Sequence, residues 1–299
     1  MKRREFLAAG VASGVLLRKL HATTRVFSAG IQLYSIRGPL KSAAPAALKT
    51  LHSIGFREVE TFVETGFTPS QMRSMVNDAG LRMPSAHLAF TMTNDLGPVF
   101  ASAAEFQVEW AVSSFLRHLT DPGRTNTPNL KQPALPPMGR DGFQKMAARM
   151  NEIGRRAKTE GFKYAYHNHN FEFERLPDGE AGYDMLLRET DPDLVKFEVD
   201  CGWMVVEGSN PVDYFHRYPG RFRMLHIKDF QPTRPTIDMV GPDRPKGTEL
   251  GTGFIDYAPI FHAAQSAGIQ HVFAEQEEPY SRSQLESAKV SYNYLERFL

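Results

Sequence analysis

From Val26 onward, short runs rich in β-branched and aromatic residues alternate with longer stretches whose apolar positions recur every three to four residues. Eight runs have strand character: residues 30–35, 58–62, 83–88, 109–115, 163–167, 195–200, 224–228 and 271–275. Helices fit between them. An apolar stripe through Ala47, Leu48, Leu51 and Ile54 stops at Gly55, a residue suited to a helix C-terminus. Thr68 followed by Pro69 opens a second helix that Gly80 closes, and residues 143–156 form a longer amphipathic one. Asn210-Pro211 starts a short helix, and the last runs from Ser283 to the C-terminus. Strands alternating with helices predict repeated βα units, a parallel sheet and a single (β/α)8 TIM barrel over residues 26–299.

Two stretches break the rhythm. Residues 118–140 follow the fourth strand, and residues 231–253, with Pro232, Pro235, Pro242 and Pro245, follow the seventh. Loops this long at the ends of barrel strands are functional or mobile. No stretch reads as a linker between domains.

The first 25 residues stand apart. Lys2-Arg3-Arg4-Glu5-Phe6-Leu7 leads into an apolar run over 8–17 and then Arg18-Lys19-Leu20-His21-Ala22. A charged start, a short apolar core and a small residue make a signal peptide, and the paired arginines resemble the twin-arginine class. The run is too short and too rich in Ala and Gly for a comfortable membrane span. An amphipathic tail and an uncleaved anchor are the alternatives. The expectation is export by the twin-arginine translocase to the periplasm or beyond, with the protein crossing already folded.

Composition removes several classes of function. With 35 basic and 34 acidic residues in 299, the net charge is +1, leaving no excess to neutralise a nucleic-acid backbone. The single cysteine, Cys201, excludes an internal disulfide framework and a thiolate-rich zinc site. It follows Asp200 directly, so strand alternation points it to the opposite face, into core packing.

The chemistry gathers where strands end, the side of a parallel barrel that carries active sites. Glu60 ends the second strand and His87 the third. The fifth ends in Tyr166-His167-Asn168-His169-Asn170-Phe171-Glu172, the sixth in Glu198-Val199-Asp200, the seventh in His226-Ile227-Lys228-Asp229 and the eighth in Glu275. Singly, each has an ordinary explanation. His87 reads as a hydrogen-bonded rim histidine, Glu60 as half of a structural pair, and Lys228 as a partner for Asp229 or Glu198. Glu277 and Glu278 read as a solvated charge run. Imidazoles and carboxylates at the ends of four successive strands call for a neutralising cation. A nitrogen/oxygen shell without thiolate suits one divalent ion, manganese foremost, with magnesium, cobalt, iron or zinc as alternatives.

Gly30-Ile31-Gln32-Leu33-Tyr34, Tyr166-His167-Asn168-His169, Glu198-Val199-Asp200, Leu225-His226-Ile227-Lys228-Asp229 and Glu275 together resemble the xylose-isomerase-like barrel superfamily. More narrowly, the chain resembles its sugar phosphate isomerase/epimerase branch, with tagatose epimerases and inosose dehydratases as relatives. The resemblance implies a divalent ion held by His167, Asp200, His226 and Glu275. His169 lies two residues past His167, on the same face if the strand continues, and is its rival as ligand. Glu172 looks like the family's second strand-five acid, which contacts substrate. The epimerases carry glutamate where His167 stands, and a substrate-binding histidine where Trp203 stands.

Such a site suits proton abstraction beside a carbonyl, with an enediolate intermediate. Glu275, Glu172, Lys228 and His169 are the candidate catalytic residues. His87, Glu60, Trp203 and Tyr34 are the candidate substrate contacts, with Phe90 as a further flat apolar face. The substrate is a sugar or keto-sugar, and no glycine-rich phosphate loop is present. Isomerisation, epimerisation, dehydration and elimination from a 3-keto-glycoside all share the intermediate and remain open. The rivals are metal-assisted hydrolysis of the endonuclease IV type and a non-catalytic periplasmic sugar-binding protein.

Overall fold

A computed structural model describes residues 27–116, 136–239, 241 and 244–299. The signal-peptide expectation for residues 1–25 and most of the 118–140 loop therefore lie outside the described residues.

The strands are β1 (Ala29–Gln32), β2 (Glu58–Thr61), β3 (Arg82–His87), β4 (Trp110–Ser113), β5 (Lys163–His167), β6 (Lys196–Asp200), β7 (Phe222–Ile227) and β10 (His271–Ala274). They close into a barrel in the order β1-β10-β7-β6-β5-β4-β3-β2, every pairing parallel. This is the predicted (β/α)8 barrel. Between β7 and β10 a short antiparallel pair, β8 (Asp229–Phe230) and β9 (Gly247–Thr248), organises the 231–253 excursion.

Helices α1 (Arg37–Ile54), α2 (Pro69–Asp78), α3 (Gly97–Phe106), α4 (Gly139–Glu160), α5 (Gly182–Glu189), α6 (Cys201–Glu207), α7 (Pro211–Arg217), α8 (Ala258–Ala267) and α9 (Gln284–Leu295) connect the strands. Capping boxes at Thr68/Gln71 and Ser283/Glu286 start α2 and α9 where the sequence signals stand. The four helices without a strong local signature, α3, α5, α6 and α8, span only seven to ten residues each. Among the described residues no helix is long and apolar enough to cross a membrane.

Strand alternation sorts the interior. Outward residues such as Val59, Phe197, Val199, Leu225 and Val272 join the main core beneath the helices. Inward ones stack in layers along the barrel axis. Trp110, Val112, Ala165, Met224 and Phe273 form an apolar floor. Gly30 makes room for it, since a Cβ there would meet the Phe273 ring at 2.5 Å. Above the floor the same faces present Gln32, Glu60, His87, His167, Glu198 and His226, all but His87 buried.

Several boundaries differ from the pattern. β1 stops at Gln32 because residues Leu33–Ile36 tighten into a 3-10 turn, with the Gln32 side chain accepting from the Tyr34 amide at 3.3 Å. β4 stops at Ser113, and Phe115 adopts a left-handed φ of 55°. Cys201 is buried as expected, yet not by strand alternation: Asp200 ends β6 and caps α6, of which Cys201 is the first residue. Phe90, expected to face substrate, is fully buried against Phe100 and Tyr164 in the outer core.

Candidate metal centre

Period-two geometry in three strands builds most of the site. Glu198 and Asp200 share a face of β6, while His226 follows Met224 along β7 and Lys228 comes just past its end. Glu275 follows Phe273 just past β10, its amide donating to Ile227 O at 2.9 Å. His167 is the last residue of β5.

At this open end, donor atoms of His167, Asp200, His226 and Glu275 all lie within 4.8 Å of one another. His226 Nδ1 and Glu275 Oε2 are 2.7 Å apart, and His167 Nε2 is 4.0 Å from Asp200 Oδ2. Two ligands on one ion with bonds of ~2.1 Å stand at most about 4.2 Å apart, so the group needs to close by only about 0.6 Å. Asp200 Oδ2 is buried with no aligned hydrogen bond, although Lys228 Nζ comes within 3.2 Å. An orphaned carboxylate oxygen facing two imidazoles and a second carboxylate is what a cation satisfies, and these residues fit a divalent ion.

Beneath lies a second polar layer. Glu60 Oε2 accepts from Gln32 Nε2 at 2.8 Å and meets His226 Nε2 at 2.7 Å. His87 Nε2 sits 2.9 Å from Glu198 and 3.1 Å from Glu60. The protonation pattern follows. Burial alone would lower His87, but the Glu60 and Glu198 carboxylates outweigh it and raise the imidazole to about 9. Burial would raise Glu60, yet His87 and His226 hold it below the ordinary carboxylate range. Burial, reinforced by Glu60, pushes Glu198 up to about 7. Burial also raises Asp200, to about 6, against the pull of Lys228 and His226. His167 is held well below its usual value by burial and by His226, which leaves it neutral, the form that binds a metal.

Lys228 is almost fully buried, with Nζ 2.8 Å from Glu277, 3.1 Å from Glu275 and 3.2 Å from Asp200. Neither expected partner is used. Asp229 instead accepts from the amides of Phe230, Gly251, Gly253 and Ile255, tying the long excursion to β8. Glu277 is not a solvated acid either, since it joins Lys228 to Arg244. Glu278 does stay on the surface, paired with Arg37 at 2.5 Å.

Above the donors opens a cavity of about 300 Å³, at the small end of ligand sites. Tyr34, His87, Phe115, His169, Met239 and Glu275 are among its walls. Tyr34 stands edge-on to Phe62 beneath the Arg37 guanidinium. His169 is not one pleat beyond His167, because β5 ends at His167 and the chain turns. Its ring lies 3.9 Å from that of Phe115 and 4.9 Å from that of His167, and it belongs to neither group of converging donors.

Three expected substrate contacts lie elsewhere. Glu60 is fully buried beneath the donors. Trp203 is also fully buried, because its amide caps onto Asp200 Oδ1 at 2.8 Å and α6 carries the indole against Phe230. Glu172 turns inward, accepting from Tyr166 Oη at 2.5 Å and from the His169 amide at 2.9 Å. It braces the turn that presents His169. Gln32 and Glu198, passed over as members of the site, were legible as inward positions two residues from recognised ones. Arg244 and Met239 come from the long excursion and carry no local signal.

A closed parallel barrel with convergent imidazoles and carboxylates at the C-terminal mouth defines a class of TIM-barrel proteins with a candidate metal centre. Within it, the model of the xylose isomerase-like TIM barrel family matches residues 48–297, and the chain belongs to that family. An inosose dehydratase of Lacticaseibacillus casei is 27% identical over 165 residues, covering 52% of this chain and 54% of the relative. The chain thus spans about half the length of such curated relatives. A sugar phosphate isomerase/epimerase from Parabacteroides distasonis superposes with a TM-score of 0.69 at 27% identity, over 92% of this chain and 95% of that one. A D-allulose 3-epimerase from Methylomonas sp. shares the fold, with a TM-score of 0.63 at 13% identity, over 91% and 98% of the chains.

Proposed function

We propose that this protein is a divalent-metal-dependent isomerase or epimerase that enolises a sugar or keto-sugar by removing a proton beside its carbonyl. The observation that carries the reading is the convergence of His167, Asp200, His226 and Glu275 beneath a cavity sized for a small molecule. The isomerase/epimerase and dehydratase relatives support it. Manganese is the favoured ion. When bound, a divalent ion polarises the carbonyl and stabilises the charge that develops on its oxygen.

The chain's own groups do the rest. Burial would raise Glu275, but Lys228 and His226 keep it ionised, the state a general base requires. Lys228, expected to meet substrate, is absent from the cavity wall; its Nζ, 3.1 Å from Glu275 and 3.2 Å from Asp200, holds both carboxylates in place. His169, on the cavity wall, exchanges protons with substrate hydroxyls, and Glu172 positions it through its backbone. Tyr34 offers a ring face to the sugar.

A dehydratase reading has its own support. The donor group holds His167 where the epimerases' second glutamate is expected, and an elimination needs one base and one acid instead of two matched bases. We also propose export by the twin-arginine route, supported by Arg3-Arg4-Glu5-Phe6-Leu7. The deciding experiment incubates the manganese-loaded protein in deuterated water with keto-sugars and cyclic keto-polyols. Deuterium appearing at the carbon beside the carbonyl is expected, with loss of water marking the dehydratase. Absence of exchange with every compound would overturn enolisation.

A further inference from the structure

Each of the two histidines in the donor group has one ring nitrogen toward the mouth and the other toward the buried layer. His167 Nε2 faces Asp200 at 4.0 Å, while its Nδ1 lies 3.2 Å from Glu198 Oε2, close to it but outside hydrogen-bond alignment. His226 Nδ1 faces Glu275 at 2.7 Å, while its Nε2 lies 2.7 Å from Glu60 Oε2 and 3.3 Å from Glu198 Oε2. A neutral imidazole that gives one lone pair to an ion carries its proton on the other nitrogen and needs an acceptor there. Both acceptors are on strands, fully buried, and outside the cavity wall. Their own positions are locked in turn, Glu60 by Gln32 and both acids by His87 between them.

We propose that Glu198 and Glu60 are positioning residues: as proton acceptors behind His167 and His226, they make the first bind an ion through Nε2 and the second through Nδ1. This inference rests on the metal reading above and adds to it the chain's choice of tautomer. It also assigns His87, which lines the cavity, a second task, holding the two acids side by side. The inner group of His87, His167, Glu198 and His226 is compact enough to hold an ion of its own. Against that use, His167 and His226 are single rings, and a neutral ring has one lone pair to give. The Oε2 atom of each carboxylate also meets His87 Nε2, at 3.1 Å for Glu60 and 2.9 Å for Glu198, while the Oε1 atoms have no hydrogen-bond partner.

The test compares wild type with Glu198→Gln and Glu60→Gln, which keep side-chain size and remove the charged acceptor. Equilibrium dialysis against manganese should show one equivalent in wild type and ~10–100-fold weaker binding in each variant. Thermal unfolding of the metal-free proteins serves as the structural control, and Glu198→Asp should recover part of the affinity. In zinc-loaded wild type with ¹⁵N-labelled histidine, the Nδ1 of His167 and the Nε2 of His226 should carry the protons. Equal affinity in wild type and both variants, or the opposite tautomers, would overturn the proposal. So would two equivalents in wild type with one lost in Glu198→Gln, which would make the inner layer a second metal site. A wild type that binds no metal at all overturns the metal reading itself, and this inference with it.

Discussion

His226 on β7 and Glu275 at the end of β10 share a 2.7 Å contact between Nδ1 and Oε2 across adjacent strands. A proton shared between them would compete with an ion for the same two atoms. A divalent ion taken up there would displace that proton and leave the site one positive charge richer, which the buried carboxylates of Asp200 and Glu275 would offset. Purified protein is expected to hold one equivalent of divalent metal, which a strong chelator removes. His226→Ala and Asp200→Ala should each abolish tight binding by dialysis. Because Asp200 also caps α6, the alanine variant should lose about 1 kcal/mol of stability that Asp200→Asn retains. Undiminished metal content in both alanine variants would refute the ligand set.

His167 and His169 separate by geometry. The first ends a strand within the donor group, while the second sits beyond the turn under Phe115. His167→Ala should cost more metal affinity than His169→Ala, whose main effect should fall on turnover. Calorimetric titration of the two variants checks the order, and the reverse order would move the ligand to His169.

Glu275→Gln removes the base and keeps its size and part of its coordinating ability. Turnover should fall by about a hundredfold or more, the usual worth of a general base. Deuterium wash-in should fall in parallel, with much of the metal still bound. A variant that exchanges at the wild-type rate would place the base elsewhere.

Tyr166 Oη donates to the buried Glu172 carboxylate. Tyr166→Phe leaves that acid short of a partner and should destabilise the fold by about 1–3 kcal/mol in denaturant titrations. Turnover should change more than metal affinity, because the His169 turn rests on Glu172. An unchanged midpoint would show that the bond contributes nothing.

Changing Arg3 and Arg4 together to lysine should leave the protein in the cytoplasm. Cell fractionation reads the outcome, and normal delivery would exclude the twin-arginine route.

What the sequence determines here is periodic. Two-residue alternation already turns Glu198 with Asp200, and His226 with Lys228, toward the barrel axis, and turn residues mark most element ends. Those features are local because they follow from backbone geometry within a few residues. Partnership is not local. Glu60 meets His226 from 166 residues away, Lys228 chooses Glu277 over the adjacent Asp229, and Trp203 and Phe90 turn into the core. Barrel closure and strand stagger decide which inward residues share a level, and neither is written in any one segment. Likewise the turn after His167 keeps His169 out of the donor group while leaving the two rings 4.9 Å apart. The alphabet of the site was legible along the chain; its pairings exist only once the last strand closes on the first.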